Sequence, residues 1–173
     1  KHQCSALSYG TLHTLASMSY RKNLGKNMTT AVILDRSGHI VTNIYAGGQG
    51  SELLKGALLR SGSLILSGME PKGGSGRQGI LLKVDKSGRV IYQYKNTGRG
   101  YCDQFEVLGN TTEYICAAFS GDREKEQTVV VRLDDKGKPY YVSAIPAKRF
   151  KVTGLNANIN DGSVIVTGNS STD

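Results

Sequence analysis

At 173 residues the chain is long enough for one domain with a sizeable core, and 38% hydrophobic with 21% charged residues excludes a disordered tail. The net charge of +8 favours acidic partners (polysaccharide, nucleic acid or anionic membrane) over neutral ones, beside the plainer reading that it keeps the protein soluble. No apolar run approaches the ~18 residues of a membrane-spanning helix, and 22 Gly against three Pro suits a chain of many tight turns.

The chain opens at Lys1 with neither Met nor an apolar leader, which reads as a processed, trimmed or partial chain. Strands are expected near 3–8, 11–17, 30–35 and 39–45, the last two joined by Asp35-Arg36-Ser37-Gly38. A second group follows near 52–60, 63–69, 79–85 and 89–95. Its hairpin, GILLKVDKSGRVIYQY at 79–94, is the clearest in the chain. SELLKGALLRS at 51–61 carries a Ser cap and helix formers, but its register with 101–110 assigns it to a strand. A third group lies near 102–109, 113–119, 128–134 and 138–145, and a fourth has two strands, near 150–157 and 162–168.

Two markers recur about every 50 residues. One is the Asp-x-x-Gly turn at Asp35, Asp85 and Asp134. The other is a short strand closing on a small residue: GSLILSG at 62–68, TEYICAA at 112–118 and GSVIVTG at 162–168, with a weaker copy, GTLHTLA, at 10–16. Helical repeats would place apolar residues at i, i+3, i+4 and i+7; these segments alternate over short runs rich in Val, Ile, Leu, Thr and Tyr. The expected fold is all-β and one domain, 1–173: a partial β-propeller of about three and a half four-stranded antiparallel blades. The blades cover 3–45, 52–95 and 102–145, with a half blade at 150–168. An open stack exposes strand edges, so the ring is expected to be larger, its remaining blades coming from the same chain or from another.

The segments Lys83-Val84-Asp85-Lys86-Ser87-Gly88 with Tyr92, and Arg132-Leu133-Asp134-Asp135-Lys136-Gly137 with Tyr141, carry a resemblance. The pattern resembles the divergent bacterial and archaeal repeat propellers with SBBP-type and quinoprotein-like blades. The resemblance implies an aromatic after the turn, often Trp, wedged between blades. Tyr92 and Tyr141 take that place here, the first copy has Thr42, and the chain has no Trp. Quinone binding does not carry over, because no matching cofactor residues are identifiable; no cofactor is expected.

The Asp-x-x-Gly turns invite a calcium reading, but one Asp per turn lacks the spaced oxygen ligands of a calcium loop, and a backbone-bonded turn is the better reading. His2, His13 and His39 have no metal-ligand spacing. GGSGRQG at 73–79 opens no helix and reads as a flexible loop. No nucleophile motif and no carboxylate pair nominates a catalytic residue. Cys102 and Cys116 fit either two buried thiols, the favoured reading, or a cross-strand disulfide. Sequons at Asn27, Asn110 and Asn169 matter only in a secreted eukaryotic chain, and chance is at least an equal reading. The expected location is extracellular or at the cell envelope.

The most informative asymmetry is in loop length. Connections within the first and last strand pairs of each group are tight, whereas 19–27, 46–50, 70–78, 96–100, 120–127 and 146–149 are longer and share one face in a propeller. That face collects Arg21, Lys22, Lys26, Lys72, Arg77, Arg99, Lys148 and Arg149. Tyr20 and Tyr101 are too few for base stacking, which argues against nucleic acid. The expected function is a non-enzymatic binding or scaffolding module that docks a protein or acidic glycan through this basic face. The alternative is a propeller enzyme (hydrolase, lyase or quinoprotein-like oxidoreductase) with its catalytic residues outside this segment.

Overall fold

A computed structural model describes residues 4–9, 12–21, 26–35, 37–46, 50–59, 61–74, 76–108, 114–121, 127–147, 150–158 and 160–170, with side chains described from residue 31 onward except 45, 46 and 103. These residues form antiparallel strands and no helix. The first sheet holds β1 (Cys4–Tyr9), β2 (Leu12–Arg21), β3 (Lys26–Leu34) and β4 (Ile40–Ala46). The second holds β5 (Glu52–Leu58), β6 (Leu64–Lys72), β7 (Gly76–Val84) and β8 (Val90–Lys95). The third holds β9 (Gly100–Leu108), β10 (Tyr114–Gly121), β11 (Val129–Leu133) and β12 (Pro139–Ala144). A fourth pairs β13 (Phe150–Ala157) with β14 (Val164–Ser170). In every sheet the strands lie side by side in chain order. Within the contested segment 51–61, Glu52–Leu58 form strand β5.

Successive side chains of a strand point to opposite faces, so the near-continuous apolar runs of the middle strands must be covered on both sides. Leu64, Leu66, Ile80, Leu82 and Val84 of the second sheet join Ala31, Ile33 and Ile44 of the first in one core. The alternate residues Ile65 and Leu81 join Ile115, Ala117, Phe119, Val131 and Leu133 of the third sheet in another. Cys116, Ala118 and Val130 turn the opposite way, to Val152 and Ala157 of the fourth. The sheets therefore pack in sequence, each on the one before.

The three Asp-x-x-Gly turns share one construction. Asp85 Oδ1 accepts from the Ser87 and Arg89 amides at 2.9 and 3.0 Å and from the Ser87 hydroxyl at 2.6 Å. Asp35 Oδ1 accepts from the Ser37 and His39 amides, and Asp134 Oδ1 from those of Lys136 and Lys138. Gly38, Gly88 and Gly137 close the turns at φ of 83°, 87° and 78°, which a side chain would resist. The ladder register then slips after Ile33, Lys83 and Arg132, a bulge at the same place in each hairpin. These carboxylates thus bind backbone, in line with the turn reading.

The Ser87 hydroxyl, with the Arg89 and Ser87 amides, holds the Asp85 carboxyl at about 2, and the His39 amide lowers that of Asp35. A depressed folded value stabilises the fold above the ordinary value of 3.8, and that contribution is lost as pH falls through it toward 2. Asp85→Ala should therefore lower Tm more at about pH 5 than at about pH 2. Thermal unfolding at the two pH values checks this, and a deficit independent of pH contradicts it.

The turns also link neighbouring sheets. Gly137 of the third sheet lies against the Tyr92 ring on β8, and a Cβ there would overlap it. Gly88 of the second sheet lies over β4, where a Cβ would stand 3.2 Å from Ile44. Tyr92 thus lies between the second and third sheets. In the first pair of sheets Ile44, not Thr42, meets the turn. Tyr141 lies at the surface, 46% exposed, with the Arg132 guanidinium 5.3 Å from its ring centre.

Cys102 and Cys116 are both buried, and no disulfide joins them. They lie in cores on opposite faces of the third sheet, so the disulfide alternative does not hold.

Candidate functional site: cations at one end of the sheets

The β6–β7 hairpin is longer than its sequence suggests. Pairing continues through Glu70↔Gln78, Pro71↔Arg77 and Lys72↔Gly76, so most of 70–78 is strand and only a short turn remains. The β2–β3 hairpin is built alike, with Arg21 opposite Lys26 in its last pair. Four expected site residues, Arg21, Lys26, Lys72 and Arg77, thus stand on strand ends rather than in loops. The side chains of Arg21 and Lys26, and the whole of Lys22, Lys148 and Arg149, lie outside the described residues.

Lys72, Arg77 and Arg99 are brought together. The Arg99 guanidinium covers Gly76, where a Cβ would come within 3.0 Å of its Nε. Lys72 Nζ donates to the Thr97 carbonyl. Arg77 Nη1 lies 2.7 Å from Glu52 Oε1, which ties β7 to the first strand of its own sheet. Lys95 extends the group: its ammonium lies 2.6 Å from Glu70 Oε1, which also accepts from Gln78 Nε2 at 2.6 Å. Glu70 is buried, and both its partners hold its negative charge in place.

Four cations here share two described carboxylates, Glu52 and Glu70. Positive charge remains in excess, held in fixed positions. Chemically the arrangement can attract and orient an anion. The outward side chains of Arg77 and Lys95 are each 46% exposed. Lys95 was missed from the sequence, where it ends a hairpin strand. The signal that could have found it is Glu70, an acidic residue in an otherwise basic segment.

His39 Nδ1 lies 3.3 Å from Asp35 Oδ2 within its own turn; the His13 side chain and all of His2 lie outside the described residues. Among the described residues no three of His, Cys, Asp and Glu gather as metal ligands. No described helix is long and apolar enough to cross a membrane. Lys55 on β5 reaches the third sheet, with Nζ 3.2 Å from the Phe105 carbonyl and 5.1 Å from its ring centre. That contact joins the first strands of neighbouring sheets.

A further regularity was not read from the sequence. The first strand of each of the last three sheets is bulged, at Leu54, Asp103 and Thr153. Opposite two of the bulges stands a glycine, Gly68 or Gly168, whose Cβ would strike the carbonyl of Glu52 or Lys151.

No family model matches the chain, and no curated protein does. The fold is similar to that of a solved protein of unknown function from Bacteroides caccae, with a TM-score of 0.61 and 13% sequence identity. The match covers 91% of this chain and 50% of that one, so the chain spans half the length of its structural neighbour.

Proposed function

We propose that the sheets are blades of a β-propeller and that the protein is a non-enzymatic binding or scaffolding module. Its basic end docks an acidic partner, a protein or an acidic glycan, outside the cell or at its envelope. Further blades, from the same chain or another, complete the ring. The observation that carries this reading is the group of Lys72, Arg77, Lys95 and Arg99, fixed around Glu52 and Glu70 at one end of the second sheet. A preset array of cations attracts an anionic surface and pays little ordering entropy on binding.

The double variant Arg77→Glu/Arg99→Glu tests it. Binding to a sulfated polysaccharide such as heparin should weaken roughly tenfold or more, with a shallower dependence on salt. Reversing Lys148 and Arg149 to Glu should act in the same direction. Unchanged affinity and salt dependence in both variants would remove this end of the sheets as the docking site.

A further inference from the structure

Neighbouring sheets are locked by a repeated device, and one copy of its receiving half is uncovered. On the second sheet, Tyr92 and Tyr94 face the third and pack into the core between them. Tyr92 is capped by the Gly137 turn of the β11–β12 hairpin. On the third sheet the same places are held by Tyr141 and Ser143, since Arg132 pairs with Tyr141 as Lys83 pairs with Tyr92. Tyr141 is nevertheless exposed, and beside it the Arg132 guanidinium reaches the fourth sheet, donating to the Gly162 carbonyl.

The edge beside it matches. β14 carries apolar residues on both faces, Val164, Ile165 and Val166, as do β6 and β10. β6 and β10 lie between two strands and are buried almost throughout. β14 has β13 as its one neighbour among the described residues, and every second residue from Ile165 is exposed. The internal repeat says what fits there: in each other sheet the equivalent edge is paired by an Asp-x-x-Gly hairpin, β3–β4, β7–β8 or β11–β12.

We propose that the β14 edge and the Tyr141 face form an acceptor site for one β-hairpin of this chain's own repeat type. Its first strand pairs antiparallel with β14, and its turn glycine seats on Tyr141. The occupant is a further repeat, not a foreign strand and not a second copy of these 173 residues. This rests on the blade reading above, and it adds the site and the chemistry of what fills it: alternating apolar residues, an Asp-x-x-Gly turn and a glycine at positive φ.

The probe is a synthetic peptide with the sequence of residues 129–144, VVVRLDDKGKPYYVSA, added to the 173-residue protein. Binding should slow amide exchange across 164–170 about tenfold or more. Tyr141→Ser in the protein, a surface change that leaves the fold intact, should weaken binding about tenfold, as should Gly137→Val in the peptide. Absence of binding, or binding that leaves 164–170 exchanging as before, overturns the proposal. So does protection of 164–170 without peptide in a dimeric protein, which would make a second copy the occupant. None of these outcomes touches the packing of the first three sheets, on which the blade reading itself stands.

Discussion

Phe119→Ala should destabilise the protein by about 3–5 kcal/mol, the usual cost of removing a fully buried aromatic and leaving a cavity. Phe119 lies on β10, wholly buried, and faces the second sheet. Its ring centre is 5.3 Å from that of Tyr94, at 58°. Gly79 on β7 makes room for it, since a Cβ there would stand 2.6 Å from the ring. Little can collapse into the vacated space, because the neighbouring backbone belongs to hydrogen-bonded strands on both sides. At this chain length the loss corresponds to a fall in Tm of roughly 10 °C. Denaturant and thermal unfolding of the two proteins check it. A loss below about 1 kcal/mol would mean that the second and third sheets do not close on this ring.

Strand identity was legible because it depends on local pattern. The turn of Asp85-Lys86-Ser87-Gly88 marks a hairpin, and the Val, Ile and Tyr around it suit strands. Segment 51–61 shows the limit of local preference: Leu53, Ala57 and Leu58 suit a helix, yet the burial of Leu53 and Leu58 between sheets decides for strand.

Register was less legible. The repeat spacing places TEYICAA over GSLILSG, but the structure shifts the pairing by one residue. Counted from the bulges, Ile115 and not Tyr114 takes the place of Leu64, because the β9–β10 hairpin is longer by one residue on each strand. A shift of one sends every side chain to the other face, which is why Cys116 looks away from the core that holds Cys102.

The candidate site was legible in its charges but not in its pairing. Lys72, Arg77 and Arg99 stand out in the sequence, whereas their anchors do not. Glu52 lies far from Arg77 along the chain and reaches it only because β5 and β7 flank β6. Lys95 and Glu70 are likewise joined only through the sheet. Long hairpins also replace what reads as loop, because the polar residues of 70–78 continue the ladder beyond the apolar core.

The second and third sheets each seat a turn glycine on the sheet before, and one comparison tests that packing most directly. Gly38 and Gly137 close equivalent turns at nearly the same φ, 83° and 78°, so alanine strains both backbones alike. A Cβ at Gly38 meets nothing within 4 Å among the described residues, while one at Gly137 runs into the Tyr92 ring. Gly137→Ala should therefore cost about 1–3 kcal/mol more than Gly38→Ala, the price of overpacking a filled contact. The excess should vanish when Tyr92→Ala is the background. Equal losses of stability in the two variants would contradict the account, because the third sheet would then not rest on the second at this turn.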